Sequence, residues 1–166
     1  MMLRLIAAAL LSVACALAGR AVAGACVRRA KALAALTDSV QKLRVDMLDK
    51  LLPLKEALKN GHPAMRSVAE AMAGCGAGTA WRNAKGALTG RGAVLDCLTA
   101  PDLEALGALF DGLGESGAAQ QRILIASAME SLEVLKREAD KKAREESKLY
   151  STLGFLAGLS LAILLM

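Results

Sequence analysis

Residues 149–166 read LYSTLGFLAGLSLAILLM, a run of 18 residues without a charge. As a helix rising ~1.5 Å per residue it spans ~27 Å, close to the ~30 Å hydrocarbon core of a bilayer. Its polar side chains are confined to Tyr150, Ser151, Thr152 and Ser160, too few for the polar face that an amphipathic core helix keeps. The run predicts a C-terminal transmembrane helix, residues 149–166.

Residues 5–19 at the other end are also uncharged, but at ~22 Å they fall short of a span. Extension to Val27 supplies the length and takes in Arg20, whose long side chain can snorkel to the headgroups. That gives an N-terminal transmembrane helix over 1–27. A second reading stands beside it. Arg4, the apolar run and Ala21-Val22-Ala23 form the three parts of a cleaved signal peptide, which would leave an exported or, through Cys26, lipid-anchored helical protein. Ala23 is a poor fit to the larger aliphatic residue that lipid attachment at Cys26 requires.

Charge placement favours retention. Arg20, Arg28, Arg29 and Lys31 follow the first apolar run. Lys136, Arg137, Lys141, Lys142, Arg144 and Lys148 precede the second, and no Lys or Arg follows it. Both biases put residues 28–148 on the cytoplasmic side, making a hairpin anchor with both termini outside. All 16 acidic residues fall between Asp38 and Glu146. The four cysteines show no C-x-x-C pairing, so free thiols in a reducing compartment fit better than a disulfide framework; a Cys75–Cys97 bridge is the alternative.

The middle of the 166-residue chain predicts an all-α multi-helix bundle of about five or six helices, the last very long. Only 2% of residues are aromatic, against 55% hydrophobic, with three prolines; this Ala-rich composition suits helices and disfavours an all-β fold. Leu33, Leu36, Val40, Leu43, Met47 and Leu51 recur at helical spacing on a helix continuing from the first anchor and interrupted by Pro53. A helical turn or two follows at 54–58. Pro63 starts a short helix marked by Met65, Val68, Ala69 and Met72. Thr79 is placed to cap a helix holding Trp81, Ala84 and Leu88. Val94, Leu95 and Leu98 suggest a short helix. Thr99-Ala100-Pro101-Asp102 is a strong helix start, with Leu106, Leu109, Phe110 and Leu113 as its stripe and Gly114 as its stop. The last helix begins near Ser116 or Gly117. Uninterrupted to Met166 it is ~75 Å long, and Ile123, Ala126, Met129, Leu132 and Leu135 form its packing stripe.

Motifs for chemistry are absent. There is no phosphate-binding loop of the G-x-x-x-x-G-K-[ST] form. The single histidine, His62, sits in a turn without a partner in sequence. Glu130, Glu133 and Asp140 read as solvated helix charges. No catalytic residue, cofactor, metal site or small-molecule substrate is therefore expected, and the chain is not expected to be an enzyme. The middle carries 19 basic and 16 acidic residues with almost no aromatics, which disfavours nucleic acid. Interaction features remain. Gly154 and Gly158 form G-x-x-x-G in the apolar helix, a spacing that lets two helix backbones approach closely. Trp81 is a core anchor or a partner contact. Residues 136–148, with Lys141, Lys142 and Arg144, form a solvated stalk or a docking surface.

The order and spacing of several segments resemble the stage III sporulation protein AB family of endospore-forming bacteria. The C-terminal KLYSTLGFLAGLSLAILLM is similar to that family's aromatic-x-S-L-G-x-L-x-G-L run and aliphatic tail. MMLRLIAAALL resembles its opening, RRAKAL at 28–33 its basic segment, LPLKEAL at 52–58 its T-P-L-x-E-A stretch, and AWRNA at 80–84 its A-W-x-x-[AS]. Asp102 to Phe110 with 113–116, then Gln121 and Ile125, fall at matching positions. Leu52 replaces the usual Thr, Ala7 the usual Gly, and Gly117 stands where Asp is frequent. The resemblance implies a non-enzymatic component of the feeding-tube channel complex between mother cell and forespore. It implies a bundle like the cytoplasmic domain of the type II secretion F-type platform protein, lying in the mother-cell membrane that faces the forespore, with a cytoplasmic ATPase and the complex's membrane components as partners.

Overall fold

Helix ends in this chain are set by local backbone chemistry, and they divide it into two long helices and four short ones. The computed structural model describes the backbone of residues 2–115 and 117–165, and the side chains of 24–115, 117–146, 149, 152 and 160. The order is α1 Met2–Leu48, α2 Leu54–Lys59, α3 Pro63–Ala71, α4 Ala77–Thr89, α5 Ala100–Gly112 and α6 Ala118–Leu165. The fold is all-α, with no strand among the described residues. Both long helices are unbroken, at 47 and 48 residues.

Leu51 and Leu52 end α1 ahead of Pro53. Leu51 takes a φ of 55°, a left-handed conformation that strains a branched side chain. The Leu52 N–H then donates to the Asp46 carbonyl at 2.9 Å. Leu51, expected on the buried stripe, is instead 82% exposed, because the helix is over before the stripe reaches it. Leu33, Leu36, Val40 and Leu43 are buried as the spacing requires.

The start of α5 follows its sequence signal. The Asp102 carboxylate accepts from both the Thr99 N–H (2.8 Å) and the Thr99 hydroxyl (2.9 Å), in a capping box with Pro101 in the first turn. At its far end Leu113 caps and Gly114 turns at φ 85°, the conformation glycine adopts without penalty. Two expectations fail. Thr79 does not cap α4; extended Gly76 does, three residues before it, with no side-chain bond. Residues 90–98 form successive turns rather than a helix, held by the Leu95 N–H on the Leu88 carbonyl (2.9 Å) and the Gly92 N–H on Asp96 Oδ2 (3.2 Å).

The chain divides into two compact units, Met1–Ala30 with Glu138–Met166, and Lys31–Arg137. In the second unit α2 packs on α3, α3 on α4 and α4 on α5. Its core gathers Leu33, Leu36, Leu43, Leu58, Met65, Leu95, Leu106, Leu109, Phe110, Ile125 and Leu132. Each fully buried side chain of this size contributes about 1.5–3 kcal/mol. The Trp81 and Phe110 rings stack at 5.0 Å between α4 and α5. Glycines allow these helices to meet. A Cβ on Gly78 would collide with Asp111, including its Cα at 2.9 Å, and one on Gly107 would press on Trp81 Nε1 at 3.3 Å. The stripe of α6 keeps Leu132 buried as expected but departs from expectation at its start. Ile125, Ala128 and Leu132 are buried, whereas Ile123 is 63% exposed and Ala126 is exposed. Ile123, Leu124 and Ile125 are consecutive, so spacing alone does not choose among them; Leu124 packs against Gly112 of α5.

The two expected membrane helices fall on 1–27 and 149–166. Most of their side chains, including those of the first 23 residues and the G-x-x-x-G face at Gly154 and Gly158, lie outside the described residues. Among the described residues no helix is long and apolar enough to cross a membrane.

Two glycines of α4 give opposite predictions. Gly78→Ala pushes against the α5 backbone and lowers stability by about 1–3 kcal/mol. Gly86→Ala meets nothing within 4 Å and raises it by up to about 1 kcal/mol through helix propensity. Urea unfolding of the two variants beside the parent measures both signs.

Candidate functional site

In the unit formed by residues 1–30 and 138–166, α1 and α6 are joined by a side-chain bond and bury small side chains. Ala30 of α1 and Ala139 and Ala143 of α6 are buried; the last two are four apart and so share one helix face. Cys26 donates its Sγ–H to Glu146 Oε2 at 2.8 Å, which fixes α1 residue 26 beside α6 residue 146. The charges lie outside this seam. Arg28, Lys141, Lys142, Arg144 and Glu145 are exposed. Lys141 Nζ stands 3.9 Å from Glu145 Oε1 one turn on, an exposed pair worth about 0–1 kcal/mol. Three of the expected contact residues, Lys141, Lys142 and Arg144, thus form one solvent-facing group.

Trp81 lies apart from them, in the other unit. It is 2% exposed, with its ring against Phe110. The indole is a core anchor in this fold, and its face is not open to a partner. Near it, Arg82 Nη1 reaches Asp111 Oδ1 at 3.2 Å and Arg82 Nη2 reaches Thr79 Oγ1 at 3.2 Å. This pair is more than half exposed and ties α4 to α5 at the surface.

A polar node that no sequence signal marked joins α1 to the α2–α3 turn. Asp46 is 1% exposed. Its Oδ1 accepts from Lys50 Nζ at 2.8 Å and its Oδ2 from Asn60 Nδ2 at 3.2 Å. Lys42 Nζ donates to the Asn60 carbonyl at 2.8 Å. The Lys50 ammonium and the Asn60 amide beside it hold the Asp46 carboxyl below the usual carboxylate range. A buried carboxylate with both oxygens satisfied fixes a position rather than performing chemistry. The turn it holds leads directly to His62. There Nδ1 accepts the Ala64 N–H at 3.3 Å as the cap of α3, and partial burial pushes the imidazole pKa down. His62 is thus a neutral cap. Of the acids expected to be solvated, Glu130 and Glu133 are exposed and Asp140 is half-buried, and Glu133 pairs with Arg137 at 3.4 Å.

Among the described residues no three His, Cys, Asp or Glu side chains cluster as a metal site would require. Cys75 and Cys97 are not bridged to each other. What the described surface offers is charge on α1 and α6 and apolar side chains standing alone, such as Ile123 and Val134.

Comparison with known proteins adds one finding. The family model of stage III sporulation protein AB matches residues 4–166. No curated protein and no solved structure matches the chain.

The Asp46 node predicts an acid-dependent loss. Because its folded carboxyl pKa is lowered, its stabilisation is present above the unfolded value of ~3.9 and is lost as pH falls through the folded value. Asp46→Asn should therefore melt below the parent at pH 7, and the gap in Tm should narrow as pH falls below the unfolded carboxylate value of ~3.9. Thermal melts by circular dichroism across pH 2–7 check the sign.

Proposed function

The chain belongs to the stage III sporulation protein AB family, and from that premise we propose that it is a non-enzymatic, membrane-anchored component of the channel complex between mother cell and forespore. Family membership carries a role in stage III sporulation. Within that role, the chain couples a cytoplasmic ATPase to the membrane components of the channel. It lies in the mother-cell membrane facing the forespore, with residues 28–148 in the cytoplasm.

One observation carries this proposal. The two helices that contain the apolar terminal segments are the same two that supply core residues to the bundle. Met2–Leu48 runs without interruption from the first apolar segment to Leu33, Leu36, Val40 and Leu43, and Ala118–Leu165 runs from Ile125 and Leu132 into the last. No linker intervenes on either side, so a load on bundle residues enters the membrane segments through helical backbone. The uncharged runs at 5–19 and 149–166, and the Lys and Arg bias inward of both, support the hairpin anchor and its cytoplasmic orientation.

Cross-linking followed by affinity recovery of the tagged chain from sporulating cells tests the proposal. The expected result is co-recovery of a cytoplasmic ATPase and small polytopic membrane proteins, with the first 27 residues still attached. Recovery of the chain alone, trimmed near Ala23, would replace the proposal with an exported helical protein. A Pro-Gly insertion after Ala30, which interrupts α1, should leave ATPase recovery intact while abolishing spore formation.

A further inference from the structure

The Cys26–Glu146 bond sets a short stretch of α1 beside a short stretch of α6, and both stretches border the apolar ends of the chain. Arg28 and Arg29 stand one and two residues beyond Val27. Lys141, Lys142 and Arg144 stand five to eight residues before Leu149, or roughly 7–12 Å along a helix. The acidic residues interleaved with them are Glu138, Asp140, Glu145 and Glu146. Two of these are occupied: Glu145 is paired with Lys141, and Glu146 takes the Cys26 thiol. Arg28, Lys142 and Arg144 are exposed and have no carboxylate partner among the described residues. The Arg28 side chain also folds back along its helix. Its Nη1 is 3.8 Å from the point where a Cβ on Gly24 would stand, so the guanidinium reaches toward the apolar segment rather than toward the bundle.

We infer that Arg28, Lys142 and Arg144 form a binding collar for anionic glycerophospholipid headgroups at the cytoplasmic leaflet. The inference rests on the membrane-anchored reading above and adds a ligand class to it. The Cys26–Glu146 bond sets the two helices side by side here, so cations from both converge on one small area of membrane. Basic side chains immediately cytoplasmic of a membrane helix attract acidic lipids, and the attraction falls off within a Debye length of ~8 Å. Arg28 adds what a point charge does not: a planar fork that matches a phosphodiester through two parallel hydrogen bonds. The pairing of Lys141 with Glu145 matters to the result, because it offsets one carboxylate that would repel the lipid phosphate.

The test uses the full chain reconstituted in vesicles of equal phosphatidylcholine and phosphatidylglycerol, with spin-labelled probes of each lipid. The parent chain should favour the phosphatidylglycerol probe by about twofold or more at low salt. The preference should vanish in 1 M salt, where the Debye length is ~3 Å, and in the triple variant R28Q/K142Q/R144Q. The variant K142R/R144K, which keeps the Arg28 fork, should retain it. Equal association of both probes with the parent chain would overturn the inference while leaving the membrane reading intact. A preference unchanged in the triple Gln variant would also overturn it. A chain that fails to float with vesicles of either composition would overturn the membrane reading and the collar together.

Discussion

Close backbone approach is the constraint on which this structure depends. The chain has one Trp, one Tyr and two Phe, so it cannot fill the space between helices with bulky side chains, as larger cores do. It brings the helices together instead. Gly78 lies against the α5 backbone, Gly107 lies under Trp81, and Gly112 receives Leu124 of α6. The ring stack of Trp81 on Phe110 lies between α4 and α5. In the unit of residues 1–30 and 138–166, the buried apolar side chains among the described residues are also small, at Ala30, Ala139 and Ala143. Interiors are packed to crystal density, so a helix pair lined by Gly and Ala leaves little room for a larger side chain and correspondingly little for a cavity.

Polar groups complete what packing begins. The capping box of α5, the His62 cap of α3 and the Asp46–Lys50–Asn60 node each satisfy backbone or buried polar atoms at a helix boundary. No buried side-chain nitrogen or oxygen among the described residues lacks a partner. These bonds place the short helices relative to the end of α1, and none of them presents a reactive group to solvent.

Features encoded by side chains at fixed spacing were legible before the fold was known. Thr99 with Asp102, Pro63 at the head of α3, Gly114 at the foot of α5 and the Leu33–Leu43 stripe all follow from local rules, as does the resemblance to the sporulation family. Features decided by backbone or by distant partners were not. Gly76 caps α4 with no side chain to announce it, and the Thr79 hydroxyl sits inside the helix, bonded to Arg82. The end of α1 depends on a strained Leu51 that its apolar side chain placed in the core by pattern. Three consecutive apolar residues at 123–125 left the register of α6 to be chosen by Gly112. Asp46 reads as one more surface acid until Asn60, fourteen residues away, folds over it. Of the residues singled out for contact, Lys141, Lys142 and Arg144 are legible as a group because charge repeats along α6. Trp81 was the ambiguous one, and burial decided it.

The orientation of the bundle bears most directly on the proposed function. A cysteine placed in the exposed 90–98 turns by Arg91→Cys, with the four native cysteines replaced by alanine, reports it through a membrane-impermeant maleimide. A hairpin anchored at both ends predicts labelling in inside-out vesicles and none in right-side-out vesicles or intact cells. Labelling from the outer face would contradict it and would place the bundle on the exported side of the membrane.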